Sequence, residues 1–233
     1  MRYGVQEYRL PQEALKRDLE DIINLGVEIK TNTLVGKDFT LKELKDKGYA
    51  AILIATGLPL SRRLRIEGID LHGVLGGLDF LRDFRLGKDV KMEDNVLVIG
   101  GGNVAMDVAL TALRLGAKQV KVACLETRKE MPAFPWEIQQ VLEEGIPIDN
   151  SYGVKKIIGE NNRVAGAELV RCVSVFDSEG RFNPSFDESE TKTVEAAMVI
   201  FAIGQASDVS GFNGESPPQV SDLGTIKVDK ATM

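Results

Sequence analysis

Hydrophobic residues in this chain fall into short unbroken runs that alternate with helical and polar stretches. The clearest run is residues 96–99, four apolar residues of which three are β-branched, and three glycines follow it at once. Residues 104–115 then carry apolar side chains at helical spacing, and a second apolar run occupies residues 119–125. Such runs are typical of strands that are buried on both faces of a parallel sheet. The pattern therefore predicts a central unit of strand, glycine turn, helix and strand.

The same reasoning predicts the elements on either side of this unit. Helices are expected from Pro11 to Gly26, after a capping box at Thr40, and over residues 78–86 and 136–144. The first helix is expected to bury Leu15, Leu19, Ile22 and Ile23. Strands are expected over residues 27–31, 49–55, 146–148, 152–158, 164–176 and 196–204, with a small one near residues 225–228. Residues 58–77 are expected to be a linker and residues 182–189 an exposed loop.

This alternation of strands and helices predicts an α/β fold. The apolar strands favour a doubly wound, Rossmann-like parallel sheet, and the antiparallel strands form a small β meander that is inserted late.

The glycine turn has the spacing of a dinucleotide fingerprint. Gly100 permits a tight turn, Gly102 leaves room for a pyrophosphate, and the small Ala105 lets the helix pack close to the strand. The start of the helix offers free N–H groups and the positive end of its dipole. We expect the pyrophosphate to be bound by Gly100, Gly101, Gly102, Asn103 and Val104.

An acidic residue, Glu126, closes the next apolar run, 20–26 residues beyond the glycines. This is the position from which a carboxylate accepts hydrogen bonds from a ribose 2′-OH. The alternative interpretation is that Glu126 ends a strand in solvent. Two further runs end in glycine, at Gly57 and Gly204, and in such folds ligands bind at the carboxyl ends of strands.

Composition narrows the possible functions. The net charge of −6 argues against a nucleic-acid surface, and no apolar run approaches the roughly 20 residues of a membrane span. With no signal peptide evident, a cytoplasmic location is expected. The two cysteines form no C-x-x-C motif, and His72 is the single histidine, so we expect no metal site. No catalytic side chain is predicted, because nicotinamide cofactors carry the hydride chemistry themselves. Asp107 is expected either to contact the nicotinamide or to be solvated.

Two blocks of the sequence are specific enough to compare with known families: Gly-Gly-Gly-Asn-Val-Ala-Met-Asp at residues 100–107 and Thr-Ala-Leu-Arg-Leu-Gly-Ala at residues 111–117. Shorter stretches are Tyr-Arg-Leu-Pro at 8–11, Ile-Ala-Thr-Gly at 54–57, Glu-Met-Pro-Ala at 130–133 and Ala-Ile-Gly-Gln at 202–205. Together these stretches resemble the glutamate synthase small (beta) subunit and related flavin-dependent pyridine-nucleotide oxidoreductases.

The resemblance implies two nested nucleotide-binding domains. Residues 1–63 and 206–233 would form a partial FAD-binding domain, and residues 64–205 an NAD(P)H-binding domain. In the family, hydride passes from NAD(P)H to FAD, and electrons go on to iron–sulfur centres and a partner subunit. The family's FAD fingerprint, its N-terminal cysteine cluster and its C-terminal Gly-Asp motif are absent from this sequence. We therefore expect a middle portion of a longer protein, inactive alone, that does not retain FAD.

The resemblance also bears on the choice of nicotinamide cofactor. Where many relatives carry a Tyr-Arg-Arg-Thr-Arg run, this chain has Cys-Leu-Glu-Thr-Arg at residues 124–128. A carboxylate at residue 126 favours NAD over NADP, while the retained Arg128 keeps NADP possible. Two other functions stay open: a methyltransferase-like protein that binds S-adenosylmethionine, and a non-catalytic nucleotide-binding module.

Overall fold

The structure, a computed structural model, describes residues 2–212, 218–221, 225–229 and 231. Its helices are α1 (Gln12–Asn24), α2 (Leu41–Asp46), α3 (Gly77–Arg85), α4 (Asn103–Arg114) and α5 (Pro135–Glu143), with a 3-10 turn at Ser210–Phe212. Its strands are β1 (Leu60–Ser61), β2 (Val74–Gly76), β3 (Asn95–Ile99), β4 (Gln119–Cys124), β5 (Ile148–Asn150), β6 (Tyr152–Glu160), β7 (Arg163–Phe176), β8 (Phe182–Glu195), β9 (Met198–Phe201) and β10 (Gln205–Ala206).

The apolar runs form one parallel sheet with the strand order β2-β9-β3-β4-β5. In its centre, Val98 of β3 lies opposite Val122 on one side and Ile200 on the other. One face of the sheet packs against α3, α4 and α5, and the other packs against the antiparallel strands. Both faces are covered, which explains why these strands are continuously hydrophobic. The predicted doubly wound fold with an antiparallel meander is confirmed.

The antiparallel meander has the order β6-β7-β8. The pairing of β6 with β7 ends at Tyr152 and Arg171, whereas β7 and β8 stay paired as far as Phe176 and Phe182. Residues 172–186 therefore form a two-stranded extension, which we call the arm. The prediction of a loop over residues 182–189 is wrong. This half of β8 is mostly exposed, so it has no apolar alternation that would indicate a strand.

By its internal contacts the chain divides into two units. The first comprises Met1–Gln6 and Ser61–Gly204 and contains the parallel sheet and the meander. The second comprises Glu7–Leu60 and Gln205–Met233 and contains α1 and α2. β1 and β10 lie where the chain passes from one unit to the other. The predicted linker, residues 58–77, also contributes an edge strand, because β2 pairs with β9.

Three predictions for the second unit are wrong. Residues 27–31 and 49–55 are not strands, and α1 buries none of its residues, so that Leu19, Ile22 and Ile23 are exposed. A strand exists through hydrogen bonds to a neighbouring strand, and within the described residues of this unit these two runs have no such ladder. The small strand predicted near residues 225–228 is a single bridge between Val220 and Ile226, and residues 222–224 lie outside the described part.

Candidate functional site

The glycine turn lies at the carboxyl edge of the parallel sheet, between β3 and α4. The Gly100 amide donates a hydrogen bond to Ala123 O at 2.9 Å, which aligns the turn with the neighbouring strand β4. Gly100 has φ +137°, and a Cβ at this position would overlap the Ala202 carbonyl oxygen. Only glycine readily adopts this positive φ and leaves this space free of a Cβ, so the tight turn predicted for Gly100 is present.

The start of α4 leaves backbone donors facing away from the helix. Gly102 is the N-cap, and its carbonyl oxygen accepts the first intrahelical hydrogen bonds, from Ala105 and Met106. The amides of Asn103 and Val104 therefore lie at the open N-terminus of the helix. A Cβ on Gly102 would meet nothing closer than Pro132 Cγ at 3.9 Å. The space next to Gly102 is open, and it has the donors that bind an anion.

Glu126 lies beside this turn. A Cβ built on Gly101 would fall 2.6 Å from Glu126 Oε2 and 3.1 Å from its Cδ, so the carboxylate rests directly against the Gly101 backbone. Two hydrogen bonds to its backbone hold Glu126 in place. The Glu126 carbonyl oxygen accepts one from the Ser151 amide at 3.0 Å and one from the side-chain Nδ2 of Asn150 at 3.1 Å. The acid and the glycine turn, 25 residues apart in sequence, thus form one site.

The loop that follows Glu126 folds back onto the turn. Asn103 Oδ1 accepts a hydrogen bond from Phe134 N at 2.8 Å, and Gly101 O accepts one from Ala133 N at 3.1 Å. At the start of the loop, the Glu130 carboxylate accepts hydrogen bonds from Thr127 Oγ1 and Thr127 N, which lower the pKa of Glu130. The side chain of Asn103 therefore has a role that the sequence did not indicate: it fixes this loop to the turn.

Both cysteines lie near Glu126 as buried free thiols. Burial raises the pKa of Cys124 to about 12, with a smaller contribution from the charge of Glu126. Burial also raises the pKa of Cys172, and the charges of Glu126 and Glu130 add to that effect. The region around the acid thus combines negative charge with two thiols whose pKa values are raised.

The remaining candidate residues are Gly204, Arg128, Gly57 and Asp107. Gly204, with φ +109°, follows β9 at the same edge of the sheet, and its carbonyl oxygen accepts a hydrogen bond from Arg62 N. Arg128 is exposed, with its guanidinium 3.9 Å from Met131 Sδ. Gly57 belongs to the second unit and has open space where a Cβ would be. Asp107 is 8% exposed in α4, so the expectation of a solvated acid is wrong.

One feature of the site has no counterpart in the predictions. A Cβ on Gly153 would lie 2.7 Å from Phe186 Cε1 and 2.9 Å from Leu125 Cδ2, so both side chains close over the Gly153 backbone. Phe186 belongs to the segment that was predicted to be a loop. A strand assignment for β8 would have drawn attention to it.

The family of the chain follows from comparison with known proteins. Residues 6–232 match the family described as pyridine nucleotide-disulphide oxidoreductase. The chain belongs to this family. Its members bind FAD and NAD(P).

Individual relatives confirm the resemblance to the glutamate synthase small subunit. The chain is 39% identical to the NADPH-Fe(3+) oxidoreductase subunit beta of Geobacter sulfurreducens over 89% of its own length and 31% of that protein. It is 32% identical to the glutamate synthase [NADPH] small chain of Azospirillum brasilense over 99% of its length and 50% of that protein. The chain thus spans 31% and 50% of the length of these two curated relatives.

The fold comparison agrees with this assignment. Mycobacterium tuberculosis FprA in complex with NADPH superposes with a TM-score of 0.73 and 18% identity, over 89% of this chain and 61% of that one. At this identity the comparison establishes the fold alone. None of the helices in the described part of the chain is long and apolar enough to cross a membrane.

Proposed function

We propose that the first unit binds a nicotinamide dinucleotide and acts as the NAD(P)H-binding portion of a flavin-dependent oxidoreductase. The observation that carries this proposal is the contact between the Glu126 carboxylate and Gly101, beside the open N-terminus of α4. This arrangement of an acid and a glycine turn matches two neighbouring parts of an adenosine diphosphate. The pyrophosphate would lie at the helix N-terminus, and the ribose hydroxyls would lie at the carboxylate.

The residues of the site bind and orient the cofactor. Gly100 to Val104 would hold the pyrophosphate with backbone amides, Glu126 would accept hydrogen bonds from the ribose hydroxyls, and Gly204 would line the nicotinamide side. Arg128, two residues after the acid, is exposed and would be a cation available to a 2′-phosphate. When bound, NAD(P)H supplies a hydride for FAD, which is why no acid–base side chain is required.

Nucleotide preference is part of the proposal. The names of the two relatives above specify NADPH. In this chain, Glu126 places a negative charge at the site of the 2′-substituent, and Glu130 is a second nearby acid. Like charges repel a 2′-phosphate, so we infer that this chain prefers NADH.

The second unit and the partner complete the proposal. Residues 1–63 and 206–233 would form part of an FAD-binding domain and residues 64–205 the NAD(P)H domain. In the complete enzyme, electrons would pass from the flavin to an iron–sulfur or large-subunit partner. The names of the relatives, a subunit beta and a small chain, support a partner subunit.

Calorimetric titration of the 233-residue chain with NADH, NADPH, S-adenosylmethionine and FAD tests this function. We expect saturable binding of NADH, weaker binding of NADPH and no binding of S-adenosylmethionine. Binding of S-adenosylmethionine alone would show a methyltransferase-like protein instead. Glu126→Gln, which keeps the shape of the side chain and removes its charge, should narrow the difference between NADH and NADPH.

A further inference from the structure

An apolar surface adjoins the proposed ribose site. Leu125 directly precedes Glu126, and its side chain and the ring of Phe186 both lie over the Gly153 backbone. Phe186 is 39% exposed, so part of its ring remains open to solvent despite this contact. An aromatic ring with an accessible surface is a stacking partner for another planar ring.

A series of backbone hydrogen bonds connects the arm to the segment that carries Glu126. Ser151 N donates to Glu126 O at 3.0 Å, and Cys172 N donates to Ser151 O at 2.9 Å. Cys172 in turn pairs with Phe186 across β7 and β8. Phe186 therefore lies at the base of the arm, level with the end of β4. The arm continues past Tyr152, the first residue of β6, to the exposed pair Phe176 and Phe182.

The geometry of a dinucleotide links this surface to the ribose. Adenine is bonded to the same sugar whose hydroxyls would meet Glu126, so the base must lie within a few ångströms of that residue. The residue before Glu126 is the apolar Leu125, and Phe186 is the aromatic ring packed beside it. Phe176 and Phe182 are farther along the arm, where they contact each other edge to face at 6.3 Å between ring centroids.

We propose that Phe186 is the stacking partner of the adenine ring of the bound dinucleotide, with Leu125 supporting the edge of the stack. This inference rests on the proposed function, because it requires a dinucleotide at Glu126. It assigns to the arm a role in binding: its base closes one side of the adenosine site.

A pair of matched variants tests this assignment. Phe186→Ala should weaken binding of both NADH and ADP-ribose by roughly ten-fold, within the range observed when a ring that stacks on a base is truncated. Reduced nicotinamide mononucleotide, which lacks adenine, should bind Phe186→Ala and the unmodified chain equally. Phe182→Ala removes the same side chain from the same strand, four residues away, and should leave all three affinities unchanged.

A second measurement keeps the test valid if Phe186→Ala disturbs the fold. Stacking on a ring shifts the adenine H2 and H8 resonances upfield, so these shifts should be present with the unmodified chain and absent with Phe186→Leu, which keeps an apolar side chain. Equal shifts in both proteins would overturn the proposal, as would a parallel loss of affinity for the mononucleotide. If the unmodified chain does not bind NADH, the proposed function itself fails. If it binds NADH and the Phe186 variants bind it equally well, only the adenine assignment fails.

Discussion

At the scale of single residues, the glycines of the turn serve two different purposes. Gly100 has a positive φ and no room for a Cβ, so it is required by the fold itself. Gly102 has φ −94°, which any residue adopts, and a Cβ there would enter open space. The backbone therefore does not require glycine at residue 102, whereas the proposed pyrophosphate would require the open space beside it.

Replacement of Gly102 separates binding from folding. Gly102→Val should abolish dinucleotide binding, because a branched side chain would fill the space next to the helix N-terminus, while circular dichroism and the unfolding midpoint stay close to those of the unmodified chain. Gly4→Val is the matched control, since a Cβ on Gly4 also has room, with Leu78 Cδ2 at 3.8 Å. A folded Gly102→Val protein with unchanged NADH affinity would disprove the assignment of this turn.

Replacement of the acid tests nucleotide preference. The unmodified chain should bind NADH more tightly than NADPH, and Leu125→Arg with Glu126→Arg should reverse or flatten this preference, a change of roughly ten-fold or about 1.4 kcal/mol. Because Leu125 and Phe186 both lie over the Gly153 backbone, the single variant Glu126→Arg tests the charge while it keeps this apolar pair. Dissociation constants for both nucleotides decide the matter. Tighter NADPH binding by the unmodified chain would contradict the role of Glu126.

The thiols beside Glu126 provide a test of the local electrostatics. Only the thiolate reacts with disulfide reagents, and the pKa of Cys124 is raised from 9.0 to about 12. At about pH 8 the folded chain should therefore react slowly with Ellman's reagent. In denaturant both thiols should become exposed and react rapidly. Cys124→Ala distinguishes the two, since the remaining slow reaction then belongs to Cys172. One rapid equivalent from the folded, unmodified chain would show that a thiol is accessible and ionised.

The sequence indicated the residues that a fingerprint defines, and it missed those that long-range packing brings in. Glu126 was placed by its distance from the glycines, and the structure puts it against Gly101. The hydrogen bond from Phe134 N to Asn103 Oδ1 and the meeting of Phe186 with Leu125 join segments that lie 31 and 61 residues apart in sequence. No local pattern encodes such contacts.

At the scale of elements, the loop between β4 and α5 is held to the glycine turn by Asn103. Asn103→Ala removes the acceptor for Phe134 N, so the exchange protection of that amide should fall by roughly five-fold, at a cost of about 1 kcal/mol. Asn103→Asp keeps an acceptor and should preserve protection. Ala133 N, bonded to Gly101 O, is the internal reference. Unchanged protection of Phe134 N in Asn103→Ala would show that the loop is held by other contacts.

Helices and strands differ in how far the sequence determined them. The helices begin and end within about two residues of the predicted positions, because their signals are local: Pro11 precedes α1, and the Thr40 capping box with Glu43 is present in α2. The apolar runs at residues 27–31 and 49–55 have strand-like composition but no ladder. A strand depends on its neighbours, which composition does not supply.

At the scale of the whole molecule, the two units differ in how well they cover their apolar residues. In the first unit, helices cover one face of the parallel sheet and the meander covers the other, and its strands are buried. In the second, α1 has no buried residue, and Leu25 and Leu53 are 84% and 87% exposed. The dinucleotide site proposed for the first unit therefore lies at the edge of a sheet that is covered on both faces. The flavin site implied by the family has no equivalent sheet within the described residues of the second unit.

This difference predicts which cofactor the chain binds on its own. The second unit carries Gly57, but its sequence contains no G-x-G-x-x-G fingerprint for the pyrophosphate of FAD, so the purified chain should be colourless after gel filtration. NADH at a hundred times its dissociation constant should stabilise the chain by about 2.7 kcal/mol and raise the unfolding midpoint. FAD at the same concentration should raise the midpoint less than NADH does, because it shares only the adenosine diphosphate half of NADH with the proposed site of the first unit. A stoichiometric yellow absorbance that persists through gel filtration would refute the prediction, since it would require a complete flavin site in this chain.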